Sequence, residues 1–225
     1  MSQLINPLSE GLNQLLPGAK LEWQRLSFAN NGTQDIDLQL LAIESTDVQL
    51  DAEQIGLFWQ QLPYWAFAWA AGQGLARYLL AHPELVKGKR VLDFGCGSGV
   101  VGIAAAKAGA ASVVCCDNDP LALIACEVNA LHNGVNIEAI RNWDDLGGGF
   151  DCLLAADILY DLTSAGDLSR RCESIPYWLV AETEYQLPPW SALVKVDSEK
   201  VTTLPSLQDF DQDLDVSIYA LNKQL

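Results

Sequence analysis

Two carboxylates and a run of glycines concentrate the chemistry of this chain. The stretch Val91-Leu-Asp-Phe-Gly-Cys-Gly-Ser-Gly99 places Asp93 near the end of an apolar run, followed by glycines at the alternate positions Gly95, Gly97 and Gly99. Glycine serves where the backbone must turn sharply and let a ligand approach with no Cβ in the way. Gly97-x-Gly-x-x-Gly102 also spells the dinucleotide fingerprint, so two kinds of cofactor come into question. In a dinucleotide site the first glycine follows the strand directly and the pyrophosphate rests on the helix N-terminus. Here Gly95 and Cys96 already occupy the turn, and Asp93 would repel a pyrophosphate but attract an ammonium group. A cofactor with an amino-acid end and no phosphates fits better. The second acid, Asp117, closes Val113-Val-Cys-Cys and stands 117 − 93 = 24 residues downstream, one β-α-β unit away. An Asp there can accept hydrogen bonds from both hydroxyls of a ribose, each such bond being worth roughly 1.5–3 kcal/mol. Asp119, just before Pro120, reads instead as the N-cap of the next helix.

Positioning these residues calls for strands and helices in alternation. Leu75, Tyr78, Leu79 and Leu80 lie at helical spacing and predict a helix over Gly72–Ala81, stopped by Pro83. A strand at Arg90–Phe94, a helix at Val100–Ala108 closed by Gly109, and a strand at Ser112–Asp117 follow. The helix Pro120–Asn133 has Pro at its first position and Asn133-Gly134 at its end. Strands at Ile137–Arg141, Asp151–Ala156 and Tyr177–Ala181, with a helix around Ala165–Cys172, complete the alternation. Such an order predicts a parallel sheet with helices on both faces. Ala192–Val196 and Asp215–Leu221 read as a closing antiparallel pair. The expected class is α/β: a Rossmann-like, doubly wound, mostly parallel seven-stranded sheet with an antiparallel C-terminal strand and a small N-terminal extension. Residues 1–60 make up that extension, with a helix signal near Leu12–Leu16 and strands at Lys20–Phe28 and Ile36–Ile43, turned as a hairpin at Asn30-Asn-Gly. It is a candidate substrate-facing cap. Residues 61–225 form the cofactor-binding domain.

Composition narrows the partners. With 13 Lys+Arg against 29 Asp+Glu, the chain carries a formal charge of −16, which argues against nucleic acid, whose affinity rests on cations displacing counterions. The most apolar window, Leu62–Ala81, is interrupted by Gln73 and Arg77, and the N-terminus lacks a basic region followed by an unbroken apolar stretch. No membrane contact and a cytoplasmic location are expected. The six cysteines form no Cys-x-x-Cys pair and the two histidines are far apart in sequence, so no metal is expected and the thiols should pack as small hydrophobes. Asp209, Asp211, Asp213 and Asp215 read as a solvated loop, the alternative being part of an acidic rim that recruits a basic protein segment.

Together, Val91–Gly99, Asp117-Asn-Asp-Pro120 and Asn129 resemble the class I S-adenosylmethionine methyltransferases. Within that class, Pro63-Tyr-Trp-Ala-Phe-Ala-Trp-Ala-Ala-Gly-Gln-Gly-Leu-Ala-Arg-Tyr-Leu-Leu80 resembles the leading segment of the electron transfer flavoprotein β-subunit lysine methyltransferases. Asn142-Trp143 is similar to the adenine-side turn of the wider protein-lysine group, and Ala156-Asp-Ile-Leu-Tyr-Asp161 to its Asp-x-x-Tyr motif. The resemblance implies S-adenosyl-L-methionine as cofactor. Asp93, Gly95, Gly97 and Gly99 would hold its methionine end, Asp117 its ribose, Asn142 and Trp143 would flank the adenine, and Trp69 would lie near the methionine portion. Trp65, Phe67 and Trp69 also alternate as on a half-buried strand face. Asp157 and Tyr160 are the implied catalytic residues, receiving the lysine of a protein substrate within a basic segment, with the enzyme acting as a monomer. The other readings are methylation of a small-molecule amine or metabolite, and a cofactor-binding interaction protein with little catalysis. The first 60 residues, richer in strand signals, are where the chain departs from that family.

Overall fold

Short apolar runs bounded by charged or glycine-containing turns become the strands of the computed structural model, which describes residues 2–28, 34–43, 61–141, 143–145, 147–159, 168, 170, 172–183, 191–206 and 211–222. In chain order the elements are α1 (Ser2–Leu15), β1 (Leu21–Leu26), β2 (Ile36–Leu41), a 3-10 turn at Tyr64–Ala66, α2 (Ala70–Ala81), β3 (Arg90–Phe94), α3 (Val100–Lys107), β4 (Ser112–Cys116), α4 (Pro120–His132), β5 (Glu138–Ile140), β6 (Cys152–Ala156), β7 (Tyr177–Thr183), β8 (Val194–Val201) and β9 (Leu214–Asn222). Seven strands lie side by side in the order β5-β4-β3-β6-β7-β9-β8. The pairs from β5 to β7 are parallel, and β9 runs antiparallel to both β7 and β8. The expected seven-stranded α/β sheet with its antiparallel C-terminal strand is what the structure shows. The helix expected around Ala165–Cys172 and the turn at Asn30-Asn-Gly fall largely or wholly outside the described residues.

Both faces of the central strands are buried, as a parallel sheet requires. Val91, Val113, Cys115, Leu154 and Leu179 point to one face and pack with α2, α3 and α4. Their neighbours Leu92, Val114, Cys116, Leu153 and Trp178 point to the other, against Phe150, Leu168, Cys172 and Ile175. Strand side chains alternate in this way because their period is two. All six cysteines are free and buried, so the expectation that thiols serve as core hydrophobes is met. Among the described residues no helix is long and apolar enough to cross a membrane.

The helix in the first segment runs further than its local signal. Leu12–Leu16 suggested a short piece, whereas α1 starts at Ser2 and continues through Pro7. An interior proline costs about 3 kcal/mol, but Leu8, Leu12 and Leu16 lie at i, i+4 and i+8 and are all buried against Ala122, Ala125 and Val128 of α4. Gly11 permits that close approach, since a Cβ on it would come 2.5 Å from Leu121 Cδ1. β1 and β2 pair antiparallel and dock on the same layer: Asn129 Oδ1 accepts from Gln39 N (2.8 Å) and Asn133 Oδ1 from Asp37 N (3.0 Å). The same cluster contains Trp65 and Phe67, so this segment buttresses the chain leading into α2 from behind.

Strand order reverses at β3, which has β4 on one side and β6 on the other. A doubly wound sheet opens a crevice there, at the carboxyl ends of the strands.

Candidate active site

The crevice is a cavity of about 560 Å³, within the range that holds a drug-sized ligand. It is lined by Trp69, Asp93, Gly95, Gly97, Asp117 and Asp157. These residues, expected from sequence and spread over some ninety positions, are thus brought to one place. Gly99 lies behind the lining as the N-cap of α3, with φ +82°. Its α-carbon backs onto α4, where an added Cβ would meet Cys126 Sγ at 2.6 Å. Asn142 and Tyr160 lie outside the described residues, and Trp143 begins a short 3-10 turn whose tryptophan side chain is likewise outside the description.

Left-handed backbone shapes the glycine turn. Gly95 and Gly97 have φ of +72° and +49°, conformations open to glycine at little steric cost. Gly95 N and Cys96 N both donate to Cys116 O (2.8 and 3.2 Å), tying the turn to the end of β4. A Cβ on Gly97 would find nothing closer than Tyr64 O at 4.0 Å. It would project into the cavity, so the missing side chain leaves room for a ligand.

Each acid at a strand end is fastened by backbone N–H groups. Asp93 is 2% exposed; its Oδ2 accepts from Gly102 N at 2.8 Å, inside the first turn of α3. Burial, more than any other influence, holds its pKa well above the ordinary carboxyl range. Asp117 accepts from Gly97 N through Oδ2 (2.9 Å) and from Asp119 N through Oδ1 (3.0 Å). A carboxylate offers about four acceptor sites, so ribose hydroxyls can still be received there. Burial again raises its pKa. Asp119 caps α4, accepting from Leu121 N at 2.8 Å, as its place before Pro120 suggested.

Asp157 sits just past β6 with φ +51°, a strained conformation for a residue with a side chain. Its Oδ2 accepts from Ala71 N at 3.1 Å, and the neighbouring Gly72 N–H also favours its charged form. It therefore caps the N-terminus of α2 from another element, since the N-cap residue Trp69 supplies no side-chain acceptor. The next N–H toward the start, that of Ala70, donates to Thr203 Oγ1 (3.2 Å). Burial pushes the Asp157 carboxyl up to about 7 against the pull of those N–H groups.

Trp69 Nε1 donates to Tyr64 O (2.9 Å), and the ring leans on those of Tyr64 and Phe67, with centroids 5.6 and 5.2 Å away. The alternation of Trp65, Phe67 and Trp69 is not a strand face. Tyr64–Ala66 form a 3-10 turn, Trp65 and Phe67 are core residues, and Trp69 faces the cavity.

Two residues, Glu182 and Thr203, escaped the sequence reading, and a third, Asp211, was read only as one of four alternating acids. Glu182, 1% exposed near the end of β7, accepts from Ile158 N (3.0 Å) and Leu159 N (3.2 Å) through Oε1. It thereby fixes the loop that carries Asp157. Burial first, and then the charge of Asp157, raise its pKa to about 8. Its signal was present: Glu182 closes the apolar run Trp178–Ala181 as Asp117 closes its own. Thr203 and Asp211, both buried, line the cavity from the connection between β8 and β9. Asp209 lies outside the described residues, and at Asp211 the expected solvated loop is not what is found. Asp211 is 2% exposed; Ser206 Oγ donates to its Oδ1 (2.7 Å) and Thr203 N donates to its main-chain O (3.0 Å).

Comparison with known proteins agrees with this geometry. The family described as ribosomal protein L11 methyltransferase (PrmA) matches residues 79–165. The chain is 42% identical over 109 residues to the electron transfer flavoprotein beta subunit lysine methyltransferase of Rattus norvegicus, covering 47% of this chain and 43% of that protein. It is 56% identical over 55 residues to the ribosomal protein L11 methyltransferase of Stenotrophomonas maltophilia, covering 24% of this chain and 18% of that one. The chain thus spans less than half the length of these relatives. In fold it is similar to magnesium protoporphyrin IX methyltransferase of Synechocystis PCC 6803, solved with bound SAM, with a TM-score of 0.50 and 17% identity over 78% of this chain and 86% of that one. The resemblance carried by the glycine turn and its two acids is borne out: this is a seven-β-strand chain of the class I methyltransferase fold, similar over less than half of its length to protein methyltransferases.

Proposed function

We propose that this chain is an S-adenosyl-L-methionine-dependent N-methyltransferase acting on lysine side chains of a protein. The observation that carries the reading is the charge of the cavity wall. Asp93, Asp117, Asp119, Asp157 and Asp211 line it, with Arg141 as the one basic side chain among the described lining residues. A diphosphate would meet repulsion there, whereas a sulfonium nucleoside and an incoming ammonium would each meet opposite charge. The glycine turn with Asp93 would hold the amino-acid end, Asp117 the ribose, and Asn142 and Trp143 the adenine. Trp69 would wall the methionine portion.

When bound, the cofactor supplies a methyl group activated by its sulfonium. The amine must present a lone pair, and with a reference pKa near 10.4, freeing it at neutral pH costs roughly 4–5 kcal/mol. The nitrogen that takes the methyl group would carry positive charge until it sheds a proton. Asp157 would orient the amine and stabilise that charge, and Tyr160 would shape the approach. A preorganised group of this kind is worth roughly 10²–10³ in rate. Glu182 serves by holding the Asp157 loop.

Residues 1–60 as an extension and 61–225 as the catalytic domain belong to this reading. The described part of the extension supports the Trp65–Trp69 wall rather than lining the cavity. A lysine-bearing basic segment as partner suits the charge of −16, and a cytoplasmic monomer suits six thiols kept free. The test offers purified electron transfer flavoprotein β subunit, ribosomal protein L11 and a pool of small amines separately, each with methyl-labelled cofactor. Label on lysine of either protein supports the reading. Label only on an amine, or none although S-adenosylhomocysteine raises the melting temperature, refutes it in favour of a metabolite enzyme or a non-catalytic binder.

A further inference from the structure

The segment that leads into α2 carries a half-exposed aromatic residue in the cavity wall, and we propose that Tyr64 is a cofactor-binding residue, its ring covering the ribose and thioether of the nucleoside that the glycine turn and Asp117 would hold. The proposal rests on the cofactor reading above and extends it to a residue with no role in it so far.

Tyr64 stands across from the glycine turn. It lines the cavity together with Trp69, Gly97 and Asp117. The atom nearest to the spot that a Cβ on Gly97 would occupy is Tyr64 O, 4.0 Å away, so the room left by that glycine is bounded on its far side by Tyr64. Gly97 in turn donates its N–H to Asp117 Oδ2 (2.9 Å), which ties the same spot to the acid that would receive the ribose. The main chain holds Tyr64 there. Tyr64 N donates to Leu62 O (2.8 Å), and Tyr64 O accepts from Phe67 N (3.3 Å) and from the indole Nε1 of Trp69 (2.9 Å). Trp65 and Phe67, which anchor the turn in the core, are 1% and 0% exposed, whereas Tyr64 is 44% exposed. Its ring centroid lies 5.6 Å from that of Trp69 at an interplanar angle of 44°, so the two rings meet as a corner rather than a flat stack. A ring left this open in a fixed place adds little to the core, but its apolar surface gains from being covered. A nucleoside thioether brings apolar surface of its own, and a wall already in place binds it without the cost of ordering a loop.

The probes are S-adenosylhomocysteine and 5′-methylthioadenosine, which share the ribose and the thioether and differ in the amino-acid end. Binding of each to the full chain is measured by calorimetry. Tyr64→Ala should weaken both by about tenfold, and Tyr64→Phe, which keeps the ring, should stay within about twofold of wild type. Urea melts of ligand-free Tyr64→Ala should move little, since much of the side chain is already in water. Nitration of wild type with tetranitromethane, followed by peptide mapping, supplies the answer if Tyr64→Ala does not fold. Saturating S-adenosylhomocysteine should slow the reaction at Tyr64 by about fivefold or more, and leave Tyr219, half-buried on β9 and outside the lining, unchanged. Undiminished affinity in Tyr64→Ala, a loss confined to S-adenosylhomocysteine, an equal loss in Tyr64→Phe, or an unprotected Tyr64 where the alanine variant does not fold overturns the proposal and leaves the methyltransferase reading intact. A wild-type protein that binds neither probe overturns the cofactor reading as well.

Discussion

Replacing Glu182 by Gln separates the hydrogen bonds of this residue from its charge. Oε1 of Glu182 alone takes both Ile158 N and Leu159 N, and the amide oxygen of Gln can do the same. What disappears is the ionisable group. Glu182 has a pKa of about 8 in the fold against 4.5 ordinarily, so between those values the folded chain keeps a proton that the unfolded chain has lost. Stability must therefore fall as pH climbs from 4.5 towards 8 and level off above it. At 1.36 kcal/mol per unit, a rise from 4.5 to about 8 corresponds to roughly 5 kcal/mol, of which about 3–4 kcal/mol lies between pH 5 and 9. Urea unfolding of both proteins at unit steps over that range measures it. Asp157, whose pKa is raised in the same direction, contributes to both proteins and cancels to first order in their difference. Glu182→Gln should lie within about 1 kcal/mol of wild type at pH 5 and be the more stable by about 3 kcal/mol or more at pH 9. Parallel stability curves would mean that the carboxyl titrates normally, and the account of a buried acid under the Asp157 loop would fall.

Asp157→Asn should lower turnover by about 100-fold while leaving S-adenosylhomocysteine affinity within about threefold. In wild type kcat/KM should rise with pH through about 7, where this carboxyl ionises, and stopped assays across pH 5.5–8.5 should find that inflection missing in the variant. Gly97→Ala places a methyl in the open cavity at φ +49°, so calorimetry should show S-adenosylhomocysteine binding weakened by about tenfold with about 1 kcal/mol of stability lost. Gly99→Ala would instead drive its Cβ to 2.6 Å from Cys126 Sγ and 3.1 Å from Cys126 Cα; denaturant melts should show about 2–4 kcal/mol lost, since backbone gives way less readily than a side-chain tip. Asp119→Ala removes the bond to Leu121 N and should cost about 1 kcal/mol by the same melts.

What could be read from sequence was what short-range spacing encodes. The β-α alternation, the glycine turn, the cap at Asp119 and the two acids one β-α-β unit apart are all properties of neighbouring residues. Pro7 hid the first half of α1 because the stripe that outweighs it, Leu8–Leu12–Leu16, gains its energy from α4, more than a hundred residues away. Asp157 was recognised as a strand-end acid, but its bonds to the start of α2 were not, since the two are 86 positions apart. Thr203 gave no local signal, and Asp211 stood out only as one of four alternating acids. They reach the cavity because β9 inserts between β7 and β8 and turns their connection back over the leading segment. Glu182 was legible in principle, because the rule that singled out Asp117 applies to it equally.

That rule has a physical basis in the sheet. β4, β3, β6 and β7 are consecutive neighbours, and at or just beyond their carboxyl ends stand Asp117, Asp93, Asp157 and Glu182. Each acid accepts N–H groups from a different turn or helix start: Asp117 from Gly97 and Asp119, Asp93 from Gly102, Asp157 from Ala71, and Glu182 from Ile158 and Leu159. Asp93, Asp117 and Asp157, which line the crevice, are therefore also residues that pin its walls, while Glu182, outside the lining, pins the loop that carries Asp157. A buried carboxylate is stabilised by such donors, and a turn with otherwise orphaned N–H groups is stabilised by such acceptors, so each requirement answers the other. The arrangement also sets how far an amide can replace an acid. At Glu182 one oxygen takes both donors, and Gln preserves the loop. At Asp117 the two donors fall on different oxygens, so Asn would turn its NH₂ towards one of them and lose the turn along with the charge. Where both oxygens are engaged, field and scaffold cannot be altered separately; where one is, they can, which is why Glu182 rather than Asp117 is the place to measure what the charge alone contributes.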